Sequence, residues 1–566
     1  MQDPQRLLAG AVALLRRLVV TRKLPIAAAV LVLMVITVNH LTDNAVGDAV
    51  WRPTPIPDDP PGAWDHHPVV LLHQQAEIQH QAFLNRQSRN PDEAEEVYRR
   101  RYAMDPPPGY RRWVEYALAS GSPVIDDFDM IAEGVHPFLK HTAADLKARI
   151  EAVRHDPLAN QVGLCRFEGG KFTSGCRMWG PPMNLILGGA GQHVPDVELL
   201  INFLDEPSLL PTAEAARHNG TAAAASPWAD LGRHSIAAAV NESCVAQGRT
   251  PRADVPPGGD YFGIPFVADP AGGRDLCGHP EFETQHGFVA CPTTLKRLAS
   301  SVPILSQSAP HPFTDIVFPS HLYARASNQP AKWSDRLWGS KRNAAYWAGS
   351  TTGGEWSSAT WRSGLRQRLV MLATGKAEGG GGDGNQATTV LRHDAASNTV
   401  VPQQGAPVDT SMFEVRLTNM INCDAEPAAC DEQRRFFGVP GDRHPGSRAL
   451  RYQLALDLDG NSFSMRFYRF LASRSCPLKV TVFREWHDER LRPWLHYIPV
   501  SVGMRELPEL VRFLTRTAAG QRVARRVAEA GREWYPKAVS PPHQGIYLYR
   551  LMLEMARLQD DGRKAA

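Results

Sequence analysis

The sequence predicts an α/β protein made of two doubly wound lobes with a cleft between them. The run VELLINF at residues 197–203 is continuous and apolar, which is typical of a strand buried on both faces of a parallel sheet. A second alternation of strand-like and helix-like segments begins at Tyr346. These halves predict one lobe over residues 76–330, with a helical lead-in, and a second over residues 331–566, which ends in closing helices.

The composition excludes several classes of protein. The 566 residues include 62 Lys and Arg against 59 Asp and Glu, and this near-neutral balance argues against a broad nucleic-acid-binding face. A hydrophobic share of 43% and a charged share of 21% are ordinary for a globular protein, so a mainly disordered chain is excluded. Because there is a single long apolar run, a transporter or channel with several spans is excluded too.

That apolar run, LPIAAAVLVLMVITV at residues 24–38, predicts a transmembrane anchor. The basic residues near it all precede it, so the positive-inside rule places residues 1–23 in the cytoplasm and the remainder of the chain in the lumen. Residues 39–75 are Pro-rich and predict a stem. We expect a single-pass type II protein of the Golgi or ER membrane, and a cleaved signal peptide is the alternative.

The cysteines and the glycosylation motifs fit a lumenal location. All eight cysteines follow the anchor, and an even number in an oxidising compartment predicts up to four disulfides. The close pairs Cys165/Cys176 and Cys423/Cys430 are the natural local candidates, although several cysteines could be buried free thiols. Two sequons begin at Asn219 and Asn241.

The stretch YQLALDLDGNSFSMRFYRFL at residues 452–471 predicts an anion site. A strand is followed by a Gly turn, and Asn461 or Ser462 is expected to cap a helix that carries Arg466. Backbone N–H groups at the helix N-terminus and the Arg466 guanidinium together suit a diphosphate. An ordinary capped strand–helix unit with a surface arginine is the alternative.

A second candidate loop is YWAGSTTGGEWSS at residues 346–358. Its glycines, Gly349 among them, allow a close approach of the backbone, and Ser350, Thr351 and Thr352 offer hydroxyl groups to phosphate or sugar oxygens. Arg366 follows in an Arg-rich stretch. The loop is not a Walker motif, and a plain Gly/Ser turn beside a solvated Arg face is the alternative.

Carboxylates supply the candidates for catalysis and for metal binding. Asp205 lies just past the end of the predicted buried strand, where it could accept a proton from an attacking hydroxyl, or could simply form a turn. Asp127 and Asp129, like Asp457 and Asp459, form a D-x-D triplet of the kind that can bind Mn²⁺ with a nucleotide sugar. The histidines near the stem are interpreted as surface residues: His66, His67, His73 and His80.

Together these segments resemble glycosyltransferase family 90, of the fungal capsule-associated and lipopolysaccharide-modifying type, to which animal protein O-glucosyltransferases are distantly related. The resemblance covers about residues 98–558 and is most specific in YWAGSTTGG, in LDGNSFSMRFYRFLASRSCPLK and in FREWHDERLRPWLHYIPVSVGM. It implies a GT-B fold of two Rossmann-like lobes, with the donor bound mainly by the C-terminal lobe and no requirement for a metal.

The resemblance also assigns roles to individual residues. Asp205 matches the family's catalytic base. Donor-side motifs match Gly349 to Thr352 together with Phe463, Arg466 and Lys479, whereas Glu485 and Trp486 are placed less securely. The family usually has Tyr-Trp-Arg-Gly-Ser where this chain has Ala348 in place of the Arg. Arg342 or Arg366 could compensate, or the donor preference could differ.

The function implied is an inverting, metal-independent glycosyltransferase acting in cell-wall, capsule or glycoconjugate synthesis. It would move xylose, or else glucose, from a UDP-sugar to a hydroxyl of a glycan acceptor, with no cofactor besides the donor. One alternative is a Mn²⁺-dependent enzyme that uses Asp127 and Asp129. The other is an inactive, membrane-tethered glycan-binding protein, which the Ala348 replacement motivates.

Overall fold

A computed structural model describes residues 56, 58–212, 226–249, 260–324, 335–376, 387–438, 446–563 and 565. These residues belong to one compact unit that spans residues 55–566. The predicted cytoplasmic tail and anchor, the sequon at Asn219 and the boundary placed between residues 330 and 331 lie outside the described residues. Within the described ranges, no helix has the length and apolar character needed to cross a membrane.

The α/β class predicted from the sequence is confirmed. The helices are α1 Pro68–Asn85, α2 Pro91–Tyr102, α3 Tyr110–Ala119, α4 Asp129–Val135, α5 Ala143–Arg154, α6 Gly180–Leu187, α7 Ala237–Ala246, α8 Gly287–Ala290, α9 Leu365–Thr374, α10 Pro427–Phe437, α11 Phe467–Leu471, α12 Leu507–Arg516, α13 Ala518–Ala538 and α14 Pro541–Leu558. The strands are β1 Val162–Glu168, β2 Lys171–Ser174, β3 Val197–Asn202, β4 Trp228–Asp230, β5 Asp260–Tyr261, β6 Ile264–Pro265, β7 Lys296–Leu298, β8 Ile304–Ser306, β9 Ile316–Val317, β10 Arg342–Ser350, β11 Ala387–Asp394, β12 Thr399–Pro407, β13 Phe413–Asn419, β14 Tyr452–Leu458, β15 Cys476–Val480 and β16 Ile498–Val500.

The C-terminal sheet is a five-stranded parallel sheet in the order β13-β10-β14-β15-β16. Every residue of β14 is buried, as its almost continuous apolar sequence requires. The chain leaves β10 for β13 on one side, whereas it leaves β14 for β15 on the other. Neighbouring strands whose connections run in opposite directions form a topological switch point, and ligands of open α/β sheets bind in the crevice there.

The N-terminal sheet differs from the doubly wound arrangement that we expected. Its order is β2-β1-β3-β8-β9, and only β3, β8 and β9 are parallel to one another. Strand β1 runs antiparallel to both β2 and β3. The reason is the Gly169-Gly170 turn, in which both residues have positive φ and so reverse the chain directly into β2. The predicted buried strand is confirmed as β3, with one intermediate position.

Helices cover both sheets. Helices α11 and α13 pack against β15, and α9 packs against β13. The last helix, α14, returns to the N-terminal half and packs against β3, α3 and α6. Its two ends apart, nearly all of α14 is buried.

The N-terminal lead-in extends the folded unit further than the sequence suggested. Helix α1 starts inside the predicted stem of residues 39–75, and Trp64 before it is already buried. His67 is fully buried rather than on the surface, because its ring stacks on Phe513 with centroids 3.6 Å apart and its Nε2 lies 3.1 Å from Glu509 Oε1. His73 is buried as well.

Three disulfides form, not four. The predicted local pairs Cys165–Cys176 and Cys423–Cys430 are confirmed, and a third bond joins Cys244 to Cys277. The remaining two cysteines, Cys291 and Cys476, are buried free thiols.

Candidate active site

The switch-point crevice lies between the loop after β10, residues 351–356, and the loop after β14, residues 459–466. The two loops touch through glycine: a β-carbon at Gly353, whose φ is +119°, would lie 3.3 Å from the Gly460 carbonyl oxygen. The Asn461 side-chain oxygen also accepts a hydrogen bond of 3.0 Å from the Gly353 N–H. The two sequence motifs singled out for donor binding are therefore adjacent in space.

Arg366 holds these loops together rather than pointing into solvent. Its Nε donates to the Asp459 carbonyl oxygen at 2.8 Å, its Nη1 donates to the Ser350 carbonyl oxygen at 3.0 Å, and Nη1 also contacts the Thr352 hydroxyl. Burial, and secondly the neighbouring Arg466 cation, lower the pKa of Arg366 to about 9. Its cost of burial is offset by these carbonyl contacts, so Arg366 is a positioning residue of the crevice.

The prediction of a helix that starts at Asn461 or Ser462 is wrong. Residues 461–466 form a loop, and α11 begins only after Arg466 and is five residues long. The physical reason is that the loop's polar groups bond elsewhere. Gly460 N–H donates to the Ser462 carbonyl at 2.7 Å, and the Ser464 hydroxyl donates to the buried Asp457 at 2.5 Å. Arg466 contributes its guanidinium charge to this edge of the sheet from the residue directly before α11.

Arg466 borders a cavity of about 370 Å³ on one face of the C-terminal sheet. Its Nη1 donates a 2.7 Å hydrogen bond to the Ala348 carbonyl, and its guanidinium lies 5.6 Å from the Trp347 ring centroid. Burial lowers the pKa of Arg466, and the Asp457 carboxylate partly counters this. The walls combine aromatic, small and hydroxyl side chains, namely Tyr346, Trp347, Ala348, Ser350 and Phe470.

The other predicted donor-side residues of this loop have internal roles. Thr351 is buried, and its hydroxyl donates to the Ile421 carbonyl and accepts from the Ile421 N–H, both at 2.9 Å. A β-carbon at Gly349 would lie 2.8 Å from the Trp347 ring, so this position has no room for a side chain. Of the predicted hydroxyls, Ser350 is the one that lines the cavity.

Lys479 and Glu485 are brought together, but both are buried and neither lines the cavity beside Arg466. Lys479 Nζ lies 3.0 Å from Glu485 Oε1 and 3.4 Å from Asp457 Oδ2, and all three side chains are buried. The nearby carboxylates raise the pKa of Lys479 despite its burial. Tyr323 donates to Glu485 and packs against the buried Phe463, with ring centroids 5.3 Å apart. These buried groups therefore have a structural role next to the loop after β14.

Asp205 lies on the bend that follows β3, and its side chain is exposed. The protein atoms around the Asp205 carboxyl group reduce its hydration, and this desolvation raises its pKa. The nearby charge of Glu206 raises it further. The bend is fixed by its neighbours: Asn202 Nδ2 donates to the Glu206 carbonyl at 2.7 Å and to the Ser306 hydroxyl at 3.1 Å. Asp205 is thus a solvent-accessible carboxylate on a turn that the hydrogen bonds of Asn202 hold in place.

A short strap, residues 291–294, connects this bend to the donor-side loop. At one end, the Thr293 N–H donates to the buried Glu206 carboxylate at 2.9 Å, and the Thr294 hydroxyl donates to it at 2.6 Å. At the other end, the Cys291 carbonyl accepts from the Glu355 N–H at 2.8 Å. The sequence CPTT carries no motif that would have revealed this role.

His286 is a second residue that sequence reasoning missed. Its Nδ1 accepts from the Phe288 N–H at 3.2 Å, so its Nε2 carries the proton and donates to Asp459 Oδ2 at 3.2 Å. The same Asp459 oxygen accepts from the Val482 N–H at 2.9 Å. This D-x-D carboxylate therefore ties together three segments.

Both carboxylates of the Asp127/Asp129 triplet are engaged by neighbouring side chains. Asp127 Oδ1 accepts from Arg86 at 2.7 Å and from Arg101 at 3.0 Å, while Asp129 pairs with Arg101 and accepts from Tyr102 at 2.9 Å. Hydrogen bonds from the arginines and from Gln87 outweigh burial and lower the pKa of Asp127. Because guanidinium groups already neutralise these carboxylates, the triplet does not have the open oxygens of a Mn²⁺ site.

Two comparisons with known proteins address identity. Residues 410–562 match the model of Glycosyl transferase family 90, a range that includes Phe463, Arg466, Lys479 and Glu485 but not Asp205. A segment of 111 residues is 26% identical to Protein O-glucosyltransferase 3 of Rattus norvegicus and covers 19% of this chain. The match spans about a fifth of that relative, 21% of its length. The region at residues 410–562, which contains the crevice loop with Arg466, is thus similar to glycosyltransferase family 90.

Proposed function

We propose that the protein is an inverting glycosyltransferase that moves a sugar from a UDP-sugar to a hydroxyl of a glycan acceptor. The observation that carries the proposal is the position of Arg466, within the family-matched region and at the switch point of a parallel sheet. A guanidinium placed there is suited to a diphosphate, which it can bind through two parallel hydrogen bonds.

The donor is proposed to occupy the 370 Å³ cavity and the crevice beside it. Aromatic walls such as Tyr346 and Phe470 suit a nucleoside. Ser350 and Arg466 line the same cavity and would contact the phosphates. When the sugar–phosphate bond breaks, negative charge develops on the leaving UDP, and Arg466 would stabilise it. UDP-xylose is the first donor to test and UDP-glucose the second.

Asp205 is the proposed general base. Its carboxylate would take the proton of the acceptor hydroxyl as the hydroxyl attacks the anomeric carbon from the face opposite UDP, which inverts the configuration. A raised pKa strengthens a carboxylate as a base, and solvent exposure leaves an acceptor free to reach it. The strap through Thr293 supports a fixed relation between Asp205 and the donor loop.

No metal is needed in this scheme, since Arg466 supplies the positive charge at the leaving group. A GT-B arrangement, with the acceptor on the N-terminal sheet and the donor on the C-terminal sheet, is part of the proposal. So is a lumenal location behind the N-terminal anchor, which three disulfides support because such bonds persist in oxidising compartments.

The test is transfer from labelled UDP-xylose and UDP-glucose to neutral glycans by the purified full chain, with and without a chelator. We expect turnover that survives chelation and a product of inverted anomeric configuration by NMR. Turnover that requires added Mn²⁺ would favour the metal-dependent alternative. UDP binding without any transfer would favour an inactive glycan-binding protein, and absence of both would contradict glycosyl transfer from UDP donors.

A further inference from the structure

A cavity of about 840 Å³, larger than the one beside Arg466, has no role in the scheme above. Its walls come from α4, from the segments around Arg249 and Asp275, from the chain between β8 and β9, and from the loop after β15 at residues 484–489. Its volume is near the upper end of the ~300–1,000 Å³ that is typical of small-ligand sites. The cavity therefore has room for more than one sugar ring.

The charges on the walls decide which ligand fits. Six carboxylates face three guanidinium groups, a balance that disfavours a diphosphate and so separates this cavity from the donor site. Each guanidinium is already paired with a carboxylate, which leaves no unpaired guanidinium in these walls to attract an anion. The pairs are Arg249–Asp275 at 2.5 Å, Arg274–Asp488 at 2.6 Å and Arg484–Glu133 at 2.7 Å.

The remaining three carboxylates are compensated in other ways. Asp129 pairs with Arg101, and Asp315 accepts the N–H groups of Ser208 and Leu209 at 2.8 and 2.7 Å. Glu489 accepts the Met130 N–H at 2.8 Å, and its burial raises its pKa to about 7, so that it is partly neutral. The walls as a whole are polar and carry a small net negative charge.

Such walls suit a ligand rich in hydroxyl groups. A hydroxyl both donates and accepts, and so bridges a carboxylate oxygen and a guanidinium N–H that lie side by side. The pairs are accessible where this matters, since 43% of the Arg249 side chain and 61% of the Glu133 side chain are exposed. The apolar walls, such as Phe313 and Met130, are too few for a lipid but offer surface to a sugar ring.

The cavity also adjoins the elements of the proposed chemistry. Asp315 accepts hydrogen bonds from the N–H groups of Ser208 and Leu209, which lie three and four residues beyond Asp205. The Thr314 N–H donates to the Leu209 carbonyl at 2.9 Å. On the opposite wall, Arg484 directly precedes the buried Glu485. We infer that this cavity binds a neutral oligosaccharide, namely the part of the glycan acceptor beyond the reacting sugar. That the bound oligosaccharide is the acceptor rests on the proposed function. That the cavity binds a neutral oligosaccharide does not.

The test is binding of the full chain to an array of neutral di- and trisaccharides that also carries acidic and amino sugars. Ala271→Trp would fill the cavity from an exposed wall position, and Ala428→Trp, on the exposed face of α10, is the matched control. We expect at least one neutral oligosaccharide to bind, and Ala271→Trp to weaken that binding by at least about tenfold, or ~1.4 kcal/mol, while the control does not. Arg249→Met should weaken it several-fold, which keeps the test valid if Ala271→Trp does not fold.

UDP affinity separates this inference from the proposed function. Both cavity variants should bind UDP like the wild type, because the donor site is elsewhere. If the wild-type protein does not bind UDP at all, the proposed function is overturned, whereas the oligosaccharide site is unaffected. The inference itself is overturned if no neutral sugar binds, if charged sugars alone bind, or if neither cavity variant changes the binding.

Discussion

The Arg466 guanidinium donates a 2.7 Å hydrogen bond to the backbone carbonyl of Ala348, the residue that stands where the family usually has an arginine. One donor group of Arg466 thereby fixes the side chain to β10. Among the described residues, no protein group accepts from its remaining N–H groups, which leaves them for an anion. The Arg466 guanidinium is thus positioned by the backbone of Ala348.

Arg466→Ala should weaken the binding of UDP and of UDP-sugars alike, because the diphosphate is common to both. Hydrogen bonds to charged groups contribute ~1.5–3 kcal/mol, so we expect a loss of about 10- to 100-fold in affinity. Isothermal titration measures it. Arg434→Ala removes an exposed positive charge from α10 and should leave the affinity unchanged. Equal UDP affinity in wild type and Arg466→Ala would remove Arg466 from the donor site.

Asp205→Asn should abolish most of the transfer while leaving donor binding intact. The amide keeps the size of the side chain but accepts no proton, and loss of a positioned general base costs ~10²–10⁴-fold in rate. Asp196→Asn is the control, because Asp196 precedes the same strand at its other end and is exposed. Near-normal turnover from a folded Asp205→Asn protein would leave this residue as a turn former.

Ala348→Phe should fill the cavity beside Arg466 and lower UDP affinity by at least about tenfold. The matched control is Ala344→Phe, four residues earlier on β10, which packs in the same cluster but does not line the cavity. Both variants add the same volume, so a difference between them in UDP affinity reports the cavity. If both bind UDP as the wild type does, the nucleoside lies elsewhere.

Glu489→Gln should change how stability depends on pH. The folded pKa of Glu489 is raised to about 7 from an ordinary 4.5, so the folded state binds this proton more tightly than the unfolded state does. Its contribution to stability is therefore greatest below about pH 4.5 and is lost as the pH rises to about 7. Gln can still accept from the Met130 N–H. The variant should gain in Tm relative to the wild type across this range, and a constant difference would contradict the assignment.

Lys479→Met should destabilise the protein rather than act on the donor. It leaves Glu485 and Asp457 buried without their counter-charge, and breaking a buried ion pair costs ~3–5 kcal/mol. Urea unfolding measures this, with the exposed Lys537→Met as control. UDP affinity of the folded fraction should stay near that of the wild type. A stable variant that had lost UDP binding would instead make Lys479 a direct donor contact.

The sequence predicted the strands better than the loops that connect them to function. Strands β3 and β14 were predicted from VELLINF and YQLALDL, because burial on both faces of a sheet favours a mostly apolar sequence. The loop at residues 461–466 was mistaken for a helix because Asn461 is a good helix cap. Its side chain instead bonds to Gly353, more than a hundred residues away, and no local pattern contains that contact.

The candidate site shows the same division. Residue types suited to phosphate were predicted along the chain, and the structure brings Ser350, Arg366 and Arg466 together. The different roles of Arg366 and Arg466 were not predictable, because they depend on which backbone carbonyl each guanidinium contacts. The strap at residues 291–294 was missed for the same reason: its function is to contact two distant loops at once.

Gly287 at the start of α8 abuts the Gly353 carbonyl so closely that a β-carbon at position 287 would overlap it. A side chain here would force the segment around His286 away from the loop after β10. In a saturation-mutagenesis screen position 287 would accept no substitution, although it has no reactive group and contributes nothing to charge. Loss of activity in a variant at this position would result from a changed spacing between two loops and not from a missing catalytic contact. Intolerance to mutation is therefore a poor guide to catalytic residues in this crevice.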